Sequence, residues 1–125
     1  MARCTKIVLL LAILVIVALP VQATLPSFQI IMEGVSPYFV PSKAQVAAGT
    51  PIRWDNPTAT FHTVTADACL TGEGSCPFDS GSVPPNGSYT LPSLPPGHYP
   101  YHCRLHLIMR GVLTVVAPSA SPSQT

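Results

Sequence analysis

The chain has 125 residues, of which only 9% are charged, and a formal net charge of +1; it lacks the basic patch or stripe that nucleic-acid binding needs. Its 15 prolines are more than twice the average usage of about 5% and fall too often to permit long helices.

Residues 1–23 have the pattern of a secretory signal. Arg3 and Lys6 supply the positive start, the stretch from Ile7 to Leu19 the apolar run, and Val21-Gln22-Ala23 a small-residue cleavage site. The apolar run is shorter than the roughly 20 residues of a membrane span, so cleavage is expected, with membrane attachment only if the segment is retained as an anchor. Export to a periplasm, cell surface or extracellular space follows. Removal leaves about 100 residues, enough for one domain with one core, residues 24–117. Four basic side chains (Lys43, Arg53, Arg104, Arg110) then face five acidic ones (Glu33, Asp55, Asp67, Glu73, Asp79).

Short runs rich in β-branched and aromatic residues lie between the prolines. Strands are expected near Phe28 to Met32, Ala44 to Ala47, Ile52 to Asp55, His62 to Ala66, Ser88 to Leu91, His98 to His102 and Val112 to Val116. Turns fall at Ala48-Gly49-Thr50-Pro51, Pro84-Pro85-Asn86-Gly87 and Pro95-Pro96-Gly97. Seven to eight short strands at this spacing predict an all-β fold, a Greek-key β-sandwich or barrel. Residues 118–125, rich in Ser and Pro, have no apolar anchor and are expected to be a disordered tail.

The cysteines left after the signal are Cys69, Cys76 and Cys103. Cys69 and Cys76 enclose six residues, a segment that can close as a disulfide in an oxidising compartment. A second thiolate site there would need a nearby His or acidic cluster, and a disulfide is the plainer reading. Cys103 is then the odd thiol. His106 and Met109 follow it at two intervals of three. A lone Cys and His at that interval would more often be a structural pair, and a lone Met core filling. Together, a thiolate, an imidazole and a thioether suit copper, because soft sulfur excludes hard cations and structural zinc sites use Cys and His without Met.

Such a centre needs one more imidazole. Side chains two apart on a strand share a face. Tyr99, Tyr101 and Cys103 mark the core side of their strand, which turns His98 and His102 outward to solvent. On the earlier strand His62 shares the face of Val64, with Thr63 and Thr65 facing away. His62 is therefore the second nitrogen donor, and His62, Cys103, His106 and Met109 are the candidate metal ligands. His98 and His102 lie about 13 Å apart along a strand and cannot chelate one ion together.

The order His62, Cys103, His106, Met109 resembles that of the cupredoxins, the small blue (type 1) copper proteins of the plastocyanin and azurin kind, and the short ligand loop is most similar to that of amicyanin. Ile52-Arg53-Trp54-Asp55-Asn56, Phe78-Asp79-Ser80-Gly81 and Pro95-Pro96-Gly97-His98-Tyr99-Pro100-Tyr101 resemble the family's other landmarks. Thr63 departs from the Asn that many members carry after the first His to tie the ligand loops. Leu105 departs from the Pro of amicyanin-like loops and keeps a backbone N–H; if this reached the Cys103 sulfur it would raise the reduction potential.

The resemblance implies an electron carrier rather than an enzyme, with one type 1 copper ion cycling between Cu(II) and Cu(I). Cys103, His62 and His106 would be near-trigonal ligands and Met109 a long axial one. It also implies a monomer whose redox partners dock transiently at the outer edge of His106, beside Leu107 and Ile108. Arg104 and Arg110 are either solvated charges or steer an acidic partner. The competing reading is copper storage, delivery or sensing without electron transfer. Only Met32 and Met109 remain after signal removal, which weighs against a Met-rich Cu(I) carrier. A copper oxidase ranks third, since its catalytic copper would need more histidines than the chain has.

Overall fold

The computed structural model describes residues 15–21, 26–72 and 74–118. Most of the expected signal, and the expected tail beyond residue 118, lie outside the described residues. Among the described residues no helix is long and apolar enough to cross a membrane.

Among the described residues, eight strands and one short helix follow in chain order: β1 (Phe28–Glu33), β2 (Tyr38–Val40), β3 (Lys43–Ala47), β4 (Ile52–Asp55), β5 (Thr65–Ala66), α1 (Ala68–Thr71), β6 (Ser88–Leu91), β7 (Gly97–His102) and β8 (Arg110–Val116). They form two four-stranded sheets, ordered β2-β1-β4-β6 and β3-β8-β7-β5. β1 runs parallel to β4 and β3 parallel to β8, while the other pairs are antiparallel. The all-β sandwich expected from the strand spacing is the architecture found.

Alternation puts one side of each sheet into a shared core. Ile30 and Met32 of β1, Ile52 and Trp54 of β4, and Leu113 and Val115 of β8 are buried, as is Phe39 of β2. Each fully buried Ile, Leu, Met or Phe contributes on the order of 1.5–3 kcal/mol. Trp54 and Tyr101 join the two sheets edge to face, ring centroids 5.7 Å apart, and the Trp54 indole N–H donates to the Tyr101 hydroxyl at 3.3 Å. Desolvation pushes the Tyr101 phenol well above its ordinary value.

Two elements differ from the sequence expectation. β2 is not among the strands the sequence predicts, because only three residues lie between Pro37 and Pro41 and only Phe39 points inward. The strand expected over His62 to Ala66 is regular only at Thr65–Ala66. His62 instead exchanges backbone bonds with Val83 (3.2 and 2.7 Å), and Ala66 N–H donates to Phe78 O (3.0 Å). This segment therefore lies along the 78–83 loop, which covers its far side. All five residues are buried as a result, Thr63 and Thr65 included.

Cys69 and Cys76 form a disulfide. Cys103 is buried and is the free thiol among the described residues.

Candidate metal centre

β7 ends at His102, so Cys103 is the first residue of the loop that returns to β8, and Met109 is the last before β8 begins. The loop is closed by two backbone bonds, Cys103 N–H to Met109 O (2.9 Å) and Met109 N–H to His106 O (2.8 Å). Its ends are thereby pinned to the β7–β8 hairpin. His62 reaches the same place from the neighbouring segment, held by its two bonds to Val83.

His62, Cys103 and His106 bring one donor atom each within 4.8 Å of one another. His62 Nδ1 lies 3.9 Å and His106 Nδ1 3.7 Å from Cys103 Sγ, and the two imidazole centroids are 4.8 Å apart. His62, Cys103 and Met109 are fully buried, while His106 is half-buried. Met109 completes the cluster in a type 1 ligand arrangement.

These distances test whether an ion fits. A metal–thiolate bond of about 2.3 Å and a metal–imidazole bond of about 2.0 Å span about 3.7 Å when they open at about 120°, against about 3.5 Å at the tetrahedral angle. The observed 3.7 and 3.9 Å are close to these spans, so one ion could reach the sulfur and both nitrogens. With a thioether in place of a fourth strong donor, the residues fit copper rather than structural zinc.

Burial pushes the His62 imidazole below its ordinary value, and the neighbouring His106 adds to this. The neutral ring, which a metal requires, is thus favoured before any ion arrives.

Around the donors a second set of bonds fixes them. Thr63 N–H donates to Cys103 Sγ at 3.3 Å, and Arg104 N–H donates to the Thr63 hydroxyl at 2.8 Å. Thr63 therefore ties the two ligand loops. Its hydroxyl also pairs with that of Thr65 (3.0 Å), which donates to Asp79 Oδ1 (3.0 Å), and Asp79 Oδ2 accepts from Arg104 Nη2 (2.8 Å). Arg104 is accordingly bonded and not simply solvated. Among the described residues Leu105 N–H makes no bond to Cys103 Sγ; the side chain is 54% exposed on the outward part of the loop. The sulfur's backbone donor is Thr63, and the raised potential expected from Leu105 has no structural basis.

The outer histidines divide. His98 is exposed, its Nδ1 3.3 Å from Thr114 Oγ1. His102, expected in solvent, is 1% exposed, with Nδ1 2.6 Å from Asp67 Oδ1. His102 alternates with Tyr101 and so turns away from the core, but Asp67, just beyond β5, meets its ring there and the residue is buried. The sequence does not mark out Thr58 and Thr60, whose hydroxyls lie 3.0 and 3.1 Å from His62 Nε2, or the bond that ties Thr58 to Asn56. Their one trace in the sequence is a polar residue at every second position up to the histidine.

No family model and no curated protein sequence matches the chain. Solved structures do. A copper(I) amicyanin variant aligns at 23% identity and TM-score 0.61, over 72% of this chain and 82% of its own. A purple cupredoxin from Nitrosopumilus maritimus aligns at 20% identity and TM-score 0.60, over 72% of this chain and all of its own.

The chain has the cupredoxin fold.

A copper-containing nitrite reductase from Thermus scotoductus also aligns, at 23% identity and TM-score 0.65, over 82% of this chain but 25% of the enzyme. The cupredoxin fold here thus matches both free-standing small proteins and one part of a larger enzyme. In this cupredoxin framework the four donors stand on the β7–β8 loop and the segment before β5.

Proposed function

We propose that the protein is an exported type 1 copper protein that carries single electrons between redox partners, with His62, Cys103, His106 and Met109 as its ligands. The observation that carries this reading is the pair of sulfur-to-nitrogen distances, 3.9 and 3.7 Å, between a buried free thiol and two imidazoles beside a buried Met. Copper bound there supplies a one-electron Cu(II)/Cu(I) couple. Cys103 provides the thiolate, and the Thr63 N–H limits how much charge the sulfur donates. Loop bonds that hold the ligands in place keep reorganisation small when the electron arrives or leaves.

Half-buried His106 is the electron port. Leu105 (54% exposed), Leu107 (65%), Ile108 (78%) and Phe61 (52%) form apolar surface on the ligand loops, suited to short-lived docking of a redox partner by a monomer. Carrier function is favoured over catalysis because the other two histidines gather no second donor set: His98 is exposed beside Thr114 and His102 is engaged by Asp67. Among the described residues His62, Cys103 and His106 form the one such cluster. Export to a periplasm, cell surface or medium is supported by the pattern of residues 1–23 and by the Cys69–Cys76 disulfide.

The test is to add Cu(II) to the protein without residues 1–23. An intense visible thiolate-to-copper band is expected, absent from Cys103→Ser; no band in the unsubstituted protein overturns the reading. Reversible voltammetry with copper retained in both states supports the carrier, whereas loss of Cu(I) to a competing chelator would identify copper delivery.

A further inference from the structure

We propose that Asn56 and Thr58 are positioning residues that set the tautomer of His62, leaving Nδ1 unprotonated and directed toward Cys103. The inference rests on the ligand role proposed for His62, but it is tested without a metal and can fail while copper binding stands.

Asn56 is 1% exposed, and one end of its side-chain amide lies 2.8, 3.0 and 3.1 Å from the carbonyl oxygens of Thr60, Val83 and Pro84. Carbonyls only accept, so that end is the NH2 group and the other is Oδ1. Oδ1 accepts the Thr58 backbone N–H at 3.1 Å and the Thr58 hydroxyl at 2.6 Å. The hydroxyl has one proton. Its other possible acceptors, Thr60 O at 3.1 Å and Thr60 Oγ1 at 3.4 Å, also take that proton away from His62.

Thr58 Oγ1 therefore presents a lone pair to His62 Nε2, 3.0 Å away. Nε2 must then carry the imidazole proton, because two lone pairs facing each other would repel. A neutral ring protonated at Nε2 has a bare Nδ1, the nitrogen 3.9 Å from Cys103 Sγ. Thr60 Oγ1, 3.1 Å from the same Nε2, can donate or accept and so follows the tautomer rather than choosing it. The order of command runs from three carbonyls to an amide, from the amide to a hydroxyl, and from the hydroxyl to the ring.

The experiment is two-bond nitrogen–proton NMR of the imidazoles in the metal-free protein, at a pH where His62 is neutral. The Nε2–H form should dominate in the unsubstituted protein. Thr58→Val, which keeps shape and removes the acceptor, should shift the tautomer ratio toward Nδ1–H by about three- to tenfold, the effect of one net hydrogen bond. Thr58→Ser should restore it. Asn56→Ala should move the ratio in the same direction; if it does not fold, the Thr58 pair carries the test. In a separate titration Thr58→Val should bind copper about tenfold more weakly, the usual loss when a ligand's outer partner is removed. A dominant Nδ1–H form in the unsubstituted protein, or a ratio unmoved by Thr58→Val, overturns the proposal.

Discussion

Thr63 and Cys103 are joined across the two ligand loops: the backbone N–H of Thr63 lies 3.3 Å from Cys103 Sγ, and the Thr63 hydroxyl accepts the N–H of the residue after Cys103 at 2.8 Å. Thr63→Val keeps the shape and the backbone donor while leaving Arg104 N–H without its acceptor. The variant should be about 1 kcal/mol less stable, the net worth of one hydrogen bond, because Arg104 N–H is only part-buried. Urea denaturation of the metal-free protein measures this, and Thr63→Ser should recover most of the loss. Equal stability of the Val and Thr forms would show that the loops are held elsewhere.

Met109 supplies a thioether whose replacement can be made nearly isosteric. Met109→Leu fills a similar volume, so the fold should lose under about 1.5 kcal/mol. Removing the weak sulfur donor disfavours Cu(II) more than Cu(I), and the reduction potential should rise. Voltammetry of the two copper-loaded proteins decides it, an unchanged or lower potential counting against axial ligation by Met109.

The strands that carry the centre were legible because Trp54, Tyr101, Leu113 and Val115 sit in alternating runs whose period matches a half-buried sheet. The Cys103, His106 and Met109 interval was legible because one tight loop holds all three. His62 was reached by parity, although only Thr65–Ala66 of its expected strand is regular. Parity could not tell that Thr63, Thr65 and His102 are buried. An outward face becomes an interior when a loop crosses it, and the covering here comes from Asp79 and Asp67, distant from these residues in the chain or on another element. Long-range covering of this kind leaves no local period to read.

Gly111 lies opposite Tyr101 in the β7–β8 register, and a Cβ there would collide with Cζ and the hydroxyl oxygen of Tyr101. The hydroxyl end of the ring packs against the bare glycine, and its oxygen accepts the Trp54 indole N–H. Gly111→Ala must displace Tyr101 and disturb the strand that delivers Cys103 two residues later. A loss of about 1–3 kcal/mol, the usual range for overpacking, is expected in thermal or urea unfolding. Near-neutral behaviour would mean that the hairpin shifts more freely than its close packing suggests.

Acid should loosen the same framework through Asp79. Burial alone would raise its pKa, but the Gly81 N–H, the Thr65 hydroxyl and the Arg104 guanidinium together outweigh that and hold it below the ordinary 3.8. The folded state therefore binds fewer protons than the unfolded state as pH falls toward and below 3.8. Its contribution is fully present above that value and is lost as pH drops through the lower folded pKa. Asp79→Asn keeps the shape but removes the charge that Arg104 faces at 2.8 Å. The stability gap between the two proteins should be constant above about pH 5, where an ordinary carboxyl is ionised, and should close below it. Both partners are partly exposed, at 46% and 30%, so salt should narrow the neutral-pH gap as well. Metal-free protein unfolded in urea at several pH values provides the measurement, and a gap that widens on acidification would contradict the assigned sign.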